Sequence, residues 1–86
     1  MAKYQVVTKK GLGQNFLADA NILRKIVNAA EPTAADVVLE IGTGVGALTI
    51  ALAQAAGQVI SVETDRTLAP LLAEVLAGWD NVQLVF

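Results

Sequence analysis

The 86-residue sequence contains neither cysteine nor histidine. Without cysteine there is no disulfide framework and no thiolate metal centre, and without histidine zinc-type chemistry loses its other principal ligand. No G-x-x-x-x-G-K-[ST] stretch occurs, which excludes a phosphate-binding P-loop on pattern. Internal repeats and low-complexity linkers are absent. The N-terminus has no apolar run followed by a small-residue cleavage site, so no secretory signal is read there and a cytoplasmic location is expected.

Charge is scarce between Ile41 and Val62, where no Asp, Glu, Lys or Arg occurs. By that criterion alone the segment passes for a membrane span. It is nonetheless broken by Gly42, Gly44, Gly46 and Gly57 and dotted with Thr43, Thr49, Gln54, Gln58 and Ser61. That pattern fits strand, glycine loop, helix and strand, and no membrane association is expected. The high mean hydropathy of +0.55 is then the signature of a buried parallel sheet.

With 55% hydrophobic and 16% charged residues the chain lies far from the disordered regime. Its length suits one small domain or part of one. Net charge is -2, unevenly spread. Lys3, Lys9, Lys10, Arg24 and Lys25 fall in the first 25 residues against Asp19 alone, so a basic arm able to meet phosphates precedes an acidic remainder. The bland alternative is a solubilising tail.

Residues 1–18 lack strong periodicity and read as that arm. Ile22, Leu23, Ile26, Val27 and Ala30 follow helical spacing and predict a helix over 20–30, capped by Asp19 or Asn21 and ended at Glu31-Pro32. Val37–Ile41 is a nearly continuous apolar run suited to a strand buried on both faces. A helix is expected over 47–56 with Gly57 as its C-terminal cap, a strand over 58–62, a helix over 67–77 with Pro70 in its first turn and Gly78 closing it, and a strand over 82–86. The alternation of helix and strand implies a parallel α/β sheet of three strands with right-handed crossovers.

The chemistry is read from Glu40-Ile41-Gly42-Thr43-Gly44-Val45-Gly46, placed between a strand and a helix. Glycines there let the backbone turn sharply and approach a ligand closely, on the carboxyl side of the sheet where open α/β folds bind ligands. The loop reads G-x-G-x-G, with Ala47 at the sixth position of the dinucleotide fingerprint, so the loop alone does not separate cofactor classes. Glu63 ends the second strand about 20 residues beyond the first glycine, where a carboxylate accepts the hydroxyls of an adenosine ribose. This suits a nicotinamide dinucleotide and S-adenosyl-L-methionine equally. The bland readings are a tight βα turn and a solvated strand-end acid. Asp65 reads as a turn or capping residue. Glu40 is ambiguous between ordering the loop and tolerating partial exposure. Gly11–Leu17, outside the regular pattern, combines polar Gln14-Asn15 with apolar Phe16-Leu17 and on its residues alone reads as a packed loop.

Taken together, Leu12-Gly13-Gln14-Asn15-Phe16-Leu17, Leu39-Glu40-Ile41-Gly42-Thr43-Gly44 and Val62-Glu63-Thr64-Asp65 resemble the ribosomal RNA adenine dimethyltransferase family, from about Lys10 to the end of the chain. The Gln-Asn-Phe-Leu segment is the most specific element. The glycine loop and the acid are shared by methyltransferases of this fold generally. The resemblance implies the N-terminal half of a Rossmann-like class I methyltransferase fold, with residues 1–18 as a basic arm carrying a cofactor-contacting loop and 19–86 as part of the S-adenosylmethionine-binding domain. It implies methyl transfer to the exocyclic amine of adenine in ribosomal RNA. Gly13 before Gln14 favours the small-subunit (16S) branch, acting in ribosome maturation, over the large-subunit branch of macrolide resistance.

By the same resemblance Asn15 and Leu17 line the cofactor pocket, Gly42 meets the amino-acid end of the cofactor, Gly44 keeps the loop close and Glu63 holds the ribose hydroxyls. Lys9 and Lys10 fall in the arm that lies near RNA. The family's adenine-binding Asp after the third strand and its Asn-Leu-Pro-Tyr motif do not occur in these residues, so the parent protein is expected to be an enzyme and this chain inactive by itself. The family's fourth strand flanks the first, which leads to an open edge along Val37–Ile41 and to self-association through it. The remaining alternatives are a NAD-binding Rossmann fragment, which leaves Gln14–Leu17 unexplained, and a non-catalytic RNA-binding or transcription relative.

Overall fold

A computed structural model describes residues 4–8 and 20–86. The elements are β1 (Tyr4–Thr8), α1 (Ala20–Ala30), β2 (Val37–Ile41), α2 (Ala47–Ala53), β3 (Gln58–Val62), a 3-10 turn (Arg66–Leu68), α3 (Ala69–Val75) and β4 (Val82–Val85). The strands form one parallel sheet in the order β1-β2-β3-β4. The three expected strands are therefore present, joined by a fourth that the sequence reading leaves within the arm.

The added strand corrects one expectation. β1 pairs with β2 from Tyr4 opposite Val37 to Thr8 opposite Ile41, so the Val37–Ile41 edge is covered and β2 is paired on both sides. Tyr4-Gln5-Val6-Val7-Thr8 is rich in β-branched and aromatic residues but lacks the flanking helix and glycine signals of the other strands, and pairing with β2 settles the conformation. The proposed cap Asp19 lies outside the described residues.

Alternation along the strands assigns their faces. Val38 and Glu40 on β2 and Val59, Ser61 and Glu63 beside them are buried, whereas Val37, Leu39, Ile60 and Val62 are half-buried. Against the buried face pack Leu48, Leu52, Ala53 and Ala56, flanked by Leu23, Ile26 and Val27 of α1 and by Trp79 and Val82. Leu48 and Leu52 are fully buried, each stabilising the fold by about 1.5–3 kcal/mol relative to exposure.

Helix ends show local chemistry. α1 stops at Glu31, which has φ 51 and donates its N–H to the Val27 carbonyl at 2.9 Å. This is a left-handed terminus at a non-glycine residue, and Pro32 follows. The left-handed region strains any side chain, so Glu31→Gly is expected to raise stability by about 0.5–1 kcal/mol, read as an increase in thermal midpoint. α2 ends at Ala53, earlier than expected. Ala55 and Ala56 both donate to the Leu52 carbonyl, tightening the chain into a turn. The amide of Asn81 then donates to the carbonyls of Ala53 at 2.8 Å and Ala56 at 3.2 Å. Asn81→Ala removes both partners and is expected to cost about 1–2 kcal/mol, seen as a lower urea midpoint with unchanged slope.

Asp65 is the capping residue expected. Its side chain accepts from the Thr67 hydroxyl and backbone N–H, and these bonds hold its carboxyl below the ordinary 3.8. The cap is fully formed above the unfolded-state value and weakens as pH falls through the lowered one. Pro70 sits in the first turn of α3, where its missing N–H costs nothing. No helix among the described residues is long and apolar enough to cross a membrane.

Candidate functional site

The glycine loop leaves the carboxyl end of β2, and each of its three glycines adopts a positive φ: 87° at Gly42, 57° at Gly44 and 87° at Gly46. A side chain in that region is strained, which is why glycine alternates here. The loop is tied at both ends. Gly42 donates its N–H to the Val62 carbonyl at 2.7 Å, extending the β2–β3 ladder, and Gly46 donates to the Thr43 carbonyl at 3.0 Å to close the turn. A Cβ built on Gly46 would meet Val75 at 3.2 Å, so α3 packs directly against the turn.

Glu63 sits at the end of β3, held there by its N–H to the Val85 carbonyl at 2.8 Å. Its side chain is 7% exposed. One carboxylate oxygen accepts the Gly44 N–H at 2.8 Å, and the other accepts the N–H groups of Thr64 and Asp65, both at 2.9 Å. Three backbone donors therefore fix the acid against the loop. The structure brings together Gly42, Gly44 and Glu63 of the expected site. Asn15 and Leu17, with Lys9 and Lys10, lie outside the described residues.

Beneath the loop lies a polar cluster that the sequence reading leaves unresolved at Glu40 and misses elsewhere. Glu40, Thr43, Thr49 and Ser61 are all fully buried. One Glu40 carboxylate oxygen accepts the hydroxyl of Thr49, from α2, and that of Ser61 at 2.6 Å. Ser61 Oγ lies 2.5 Å from Thr43 Oγ1. The single Ser61 proton goes to Glu40, so Thr43 is the donor in that pair. Glu40 is therefore linked to the loop through Ser61 and Thr43, and the reading that it tolerates partial exposure does not hold. The signal available in the sequence was positional: Glu40 and Ser61 interrupt neighbouring apolar strands at directly opposed register positions.

A parallel α/β sheet with positive-φ glycines at one strand end and a fixed acid at the next is a Rossmann-like arrangement. The family model for ribosomal RNA adenine dimethylase matches residues 6–85. The chain is 53% identical over 85 residues to a ribosomal RNA small subunit methyltransferase A from Pelotomaculum thermopropionicum, covering 99% of this chain and 29% of the relative. It is 59% identical over 80 residues to the protein of the same name from Moorella thermoacetica, covering 93% and 28%.

Among solved structures, a 23S rRNA methyltransferase, ErmE, superposes with a TM-score of 0.73 at 42% identity, over 78% of this chain and 28% of that one. A dimethyladenosine transferase from Plasmodium falciparum gives 0.67 at 35%, over 77% and 25%. The chain belongs to the ribosomal RNA adenine dimethylase family. It spans 29% of the length of the first of these curated relatives and 28% of the second.

Proposed function

We propose that these residues form the cofactor-holding part of an S-adenosylmethionine-dependent dimethyltransferase that modifies adenine in small-subunit ribosomal RNA. The observation that carries the reading is the Glu63 carboxylate, buried at a strand end and bonded to the Gly44 N–H of the positive-φ loop. A carboxylate oriented in this way suits the hydroxyls of an adenosine ribose, and Gly44, whose N–H it accepts, puts no side chain beside it. Gly42 and Gly44 would hold the amino-acid end of the cofactor, Glu63 its ribose, and Asn15 and Leu17 would complete the pocket from the 1–18 arm. When bound, S-adenosylmethionine supplies the electrophilic methyl group.

The target-gripping Asn-Leu-Pro-Tyr motif is not among these 86 residues, and the transfer step is proposed for the whole protein. Ribosomal RNA and the small ribosomal subunit are the proposed partners of the whole protein, with Lys9 and Lys10 meeting phosphates, in the cytoplasm. The small-subunit assignment is supported by the names of the curated relatives and by Gly13. The large-subunit reading is the second, supported by the likeness to ErmE.

The test is an NMR titration of the 86-residue chain with S-adenosylmethionine and, in parallel, with NAD. Shifts at Gly42–Gly46 and Glu63 with S-adenosylmethionine alone are expected. Shifts with NAD alone would overturn the cofactor class. Silence from both would sink the claim that these residues hold the cofactor.

A further inference from the structure

We infer that Glu40, acting through Ser61 and Thr43, is the positioning residue that sets the glycine loop for its ligand; the inference rests on the cofactor reading of that loop. Glu40 has no exposed surface and stands one residue before the end of β2. A buried carboxylate is costly unless hydrogen-bonded, and this one gathers donors from two other elements, Thr49 on α2 and Ser61 on β3. Its ties do not end there. Because Ser61 gives its proton to Glu40, its oxygen receives the Thr43 hydroxyl.

Thr43 lies between Gly42 and Gly44, and its carbonyl accepts the Gly46 N–H at 3.0 Å. Its side chain therefore anchors the middle of the loop from below while its backbone closes the turn above. Three positive-φ glycines leave this segment few side chains of its own to fix its backbone. The directional relay from Thr43 through Ser61 to Glu40 selects one arrangement of it. Glu63 fixes the same loop from the side through Gly44. The loop is thus held by two carboxylates, one facing the proposed ligand and one buried beneath it. Hydroxyl donors to a carboxylate are stronger than neutral pairs, which suits a device that must hold glycine-rich backbone still before a ligand arrives.

Thr43→Val and Ser61→Ala each break the relay without leaving Glu40 bare, since Thr49 remains bonded to it. Thr43→Ser keeps the hydroxyl and serves as the rescue. Asn81→Ala, at the opposite end of the sheet, is the control for general loss of stability. The readouts are amide hydrogen exchange by residue and the S-adenosylmethionine dissociation constant.

Thr43→Val, which removes one hydrogen bond of the relay, and Ser61→Ala, which removes two, are expected to speed exchange at Gly44 and Gly46 and to weaken cofactor binding by about tenfold or more. Thr43→Ser should restore both, and Asn81→Ala should change neither. Exchange that rises uniformly across the sheet, or that stays at wild-type rates in the loop, would overturn the positioning role. Faster loop exchange in the two variants, with no cofactor bound even by the wild-type chain, would uphold the relay and defeat the cofactor reading. Weaker binding with unchanged loop exchange would uphold the cofactor reading and defeat the relay.

Discussion

Gly57→Ala is expected to leave the chain largely unfolded or close to it. A Cβ at Gly57 would stand 2.2 Å from the Ala34 carbonyl oxygen, 3.1 Å from the Ala34 carbonyl carbon and 3.3 Å from the Asp36 carbonyl oxygen. All three are backbone atoms, so no side chain can swing aside. Nor can the local chain slide. Gly57 and Gln58 both donate their N–H groups to the Asp36 carbonyl, at 3.1 and 3.2 Å. Asp36 is in turn locked by accepting the Thr33 N–H on its side chain at 2.7 Å. Relieving the clash means breaking this link between the α1–β2 turn and the start of β3.

Overpacking of this kind costs about 1–3 kcal/mol where neighbours can relax, and here the neighbours are fixed. A chain of this length has a marginal reserve. Gly78→Ala is the control, because a Cβ there would meet nothing within 4 Å and its φ is not positive; it should stay within about 0.5 kcal/mol of the parent. Urea unfolding followed by circular dichroism separates the two. Equal midpoints for both variants would show that the contact at Gly57 yields more easily than its backbone suggests.

The second large effect is expected at Glu63. Glu63→Gln preserves the shape of the side chain and replaces an acceptor oxygen with an NH2 donor. Three backbone N–H groups, from Gly44, Thr64 and Asp65, converge on the carboxylate, so one side of the amide is forced donor against donor. Two losses follow. The fold loses about 1–3 kcal/mol from groups left unsatisfied in a buried place. The proposed ribose contact loses its charged acceptor, and hydrogen bonds to charged groups carry about 1.5–3 kcal/mol each, so binding should weaken by about 10²-fold.

Calorimetric titration with S-adenosylmethionine measures the second, and chemical denaturation the first. A Glu63→Gln chain that binds the cofactor as tightly as the parent would remove Glu63 from the site, leaving it only the task of bracing the loop.

Most of the framework is legible in the pattern of residues. α1, β2 and β3 begin and end where hydrophobic spacing and Pro32 place them; β2 and β3 bury alternate residues, and α1 lays half-buried Leu23, Ile26 and Val27 against the core. Pro70 marks the start of α3 for the reason its ring dictates. The misplacements have physical causes as well. Gly57 reads as the C-terminal cap of α2, yet the helix has already ended at Ala53; the glycine is there for close approach to Ala34, a contact between segments distant along the chain. β1 is missed because Tyr4–Thr8 lacks the helix and glycine signals that flank β2 and β3, and its pairing with β2 defines it.

Spacing marks the glycine segment and Glu63, the family resemblance singles out Gly42 and Gly44 within it, and the structure brings these residues together. The polar floor of Thr43, Thr49 and Ser61 escapes both, because a hydroxyl in an apolar run looks like dilution until register places it opposite Glu40.

The strand order also shapes how this chain reaches its fold. Every neighbouring pair in the sheet is parallel, so among the described residues no hairpin nucleates it, and the β2–β3 and β3–β4 partners stand about twenty residues apart along the chain. Each ladder must wait for its intervening segment to close a long loop before any pairing repays the lost entropy. Assembly should therefore start from α2 settling against β2 and β3, where Leu48, Leu52, Val38 and Val59 meet. β1, whose partner lies farthest away in sequence among the three ladders, should be the last strand to dock and the first to leave during unfolding.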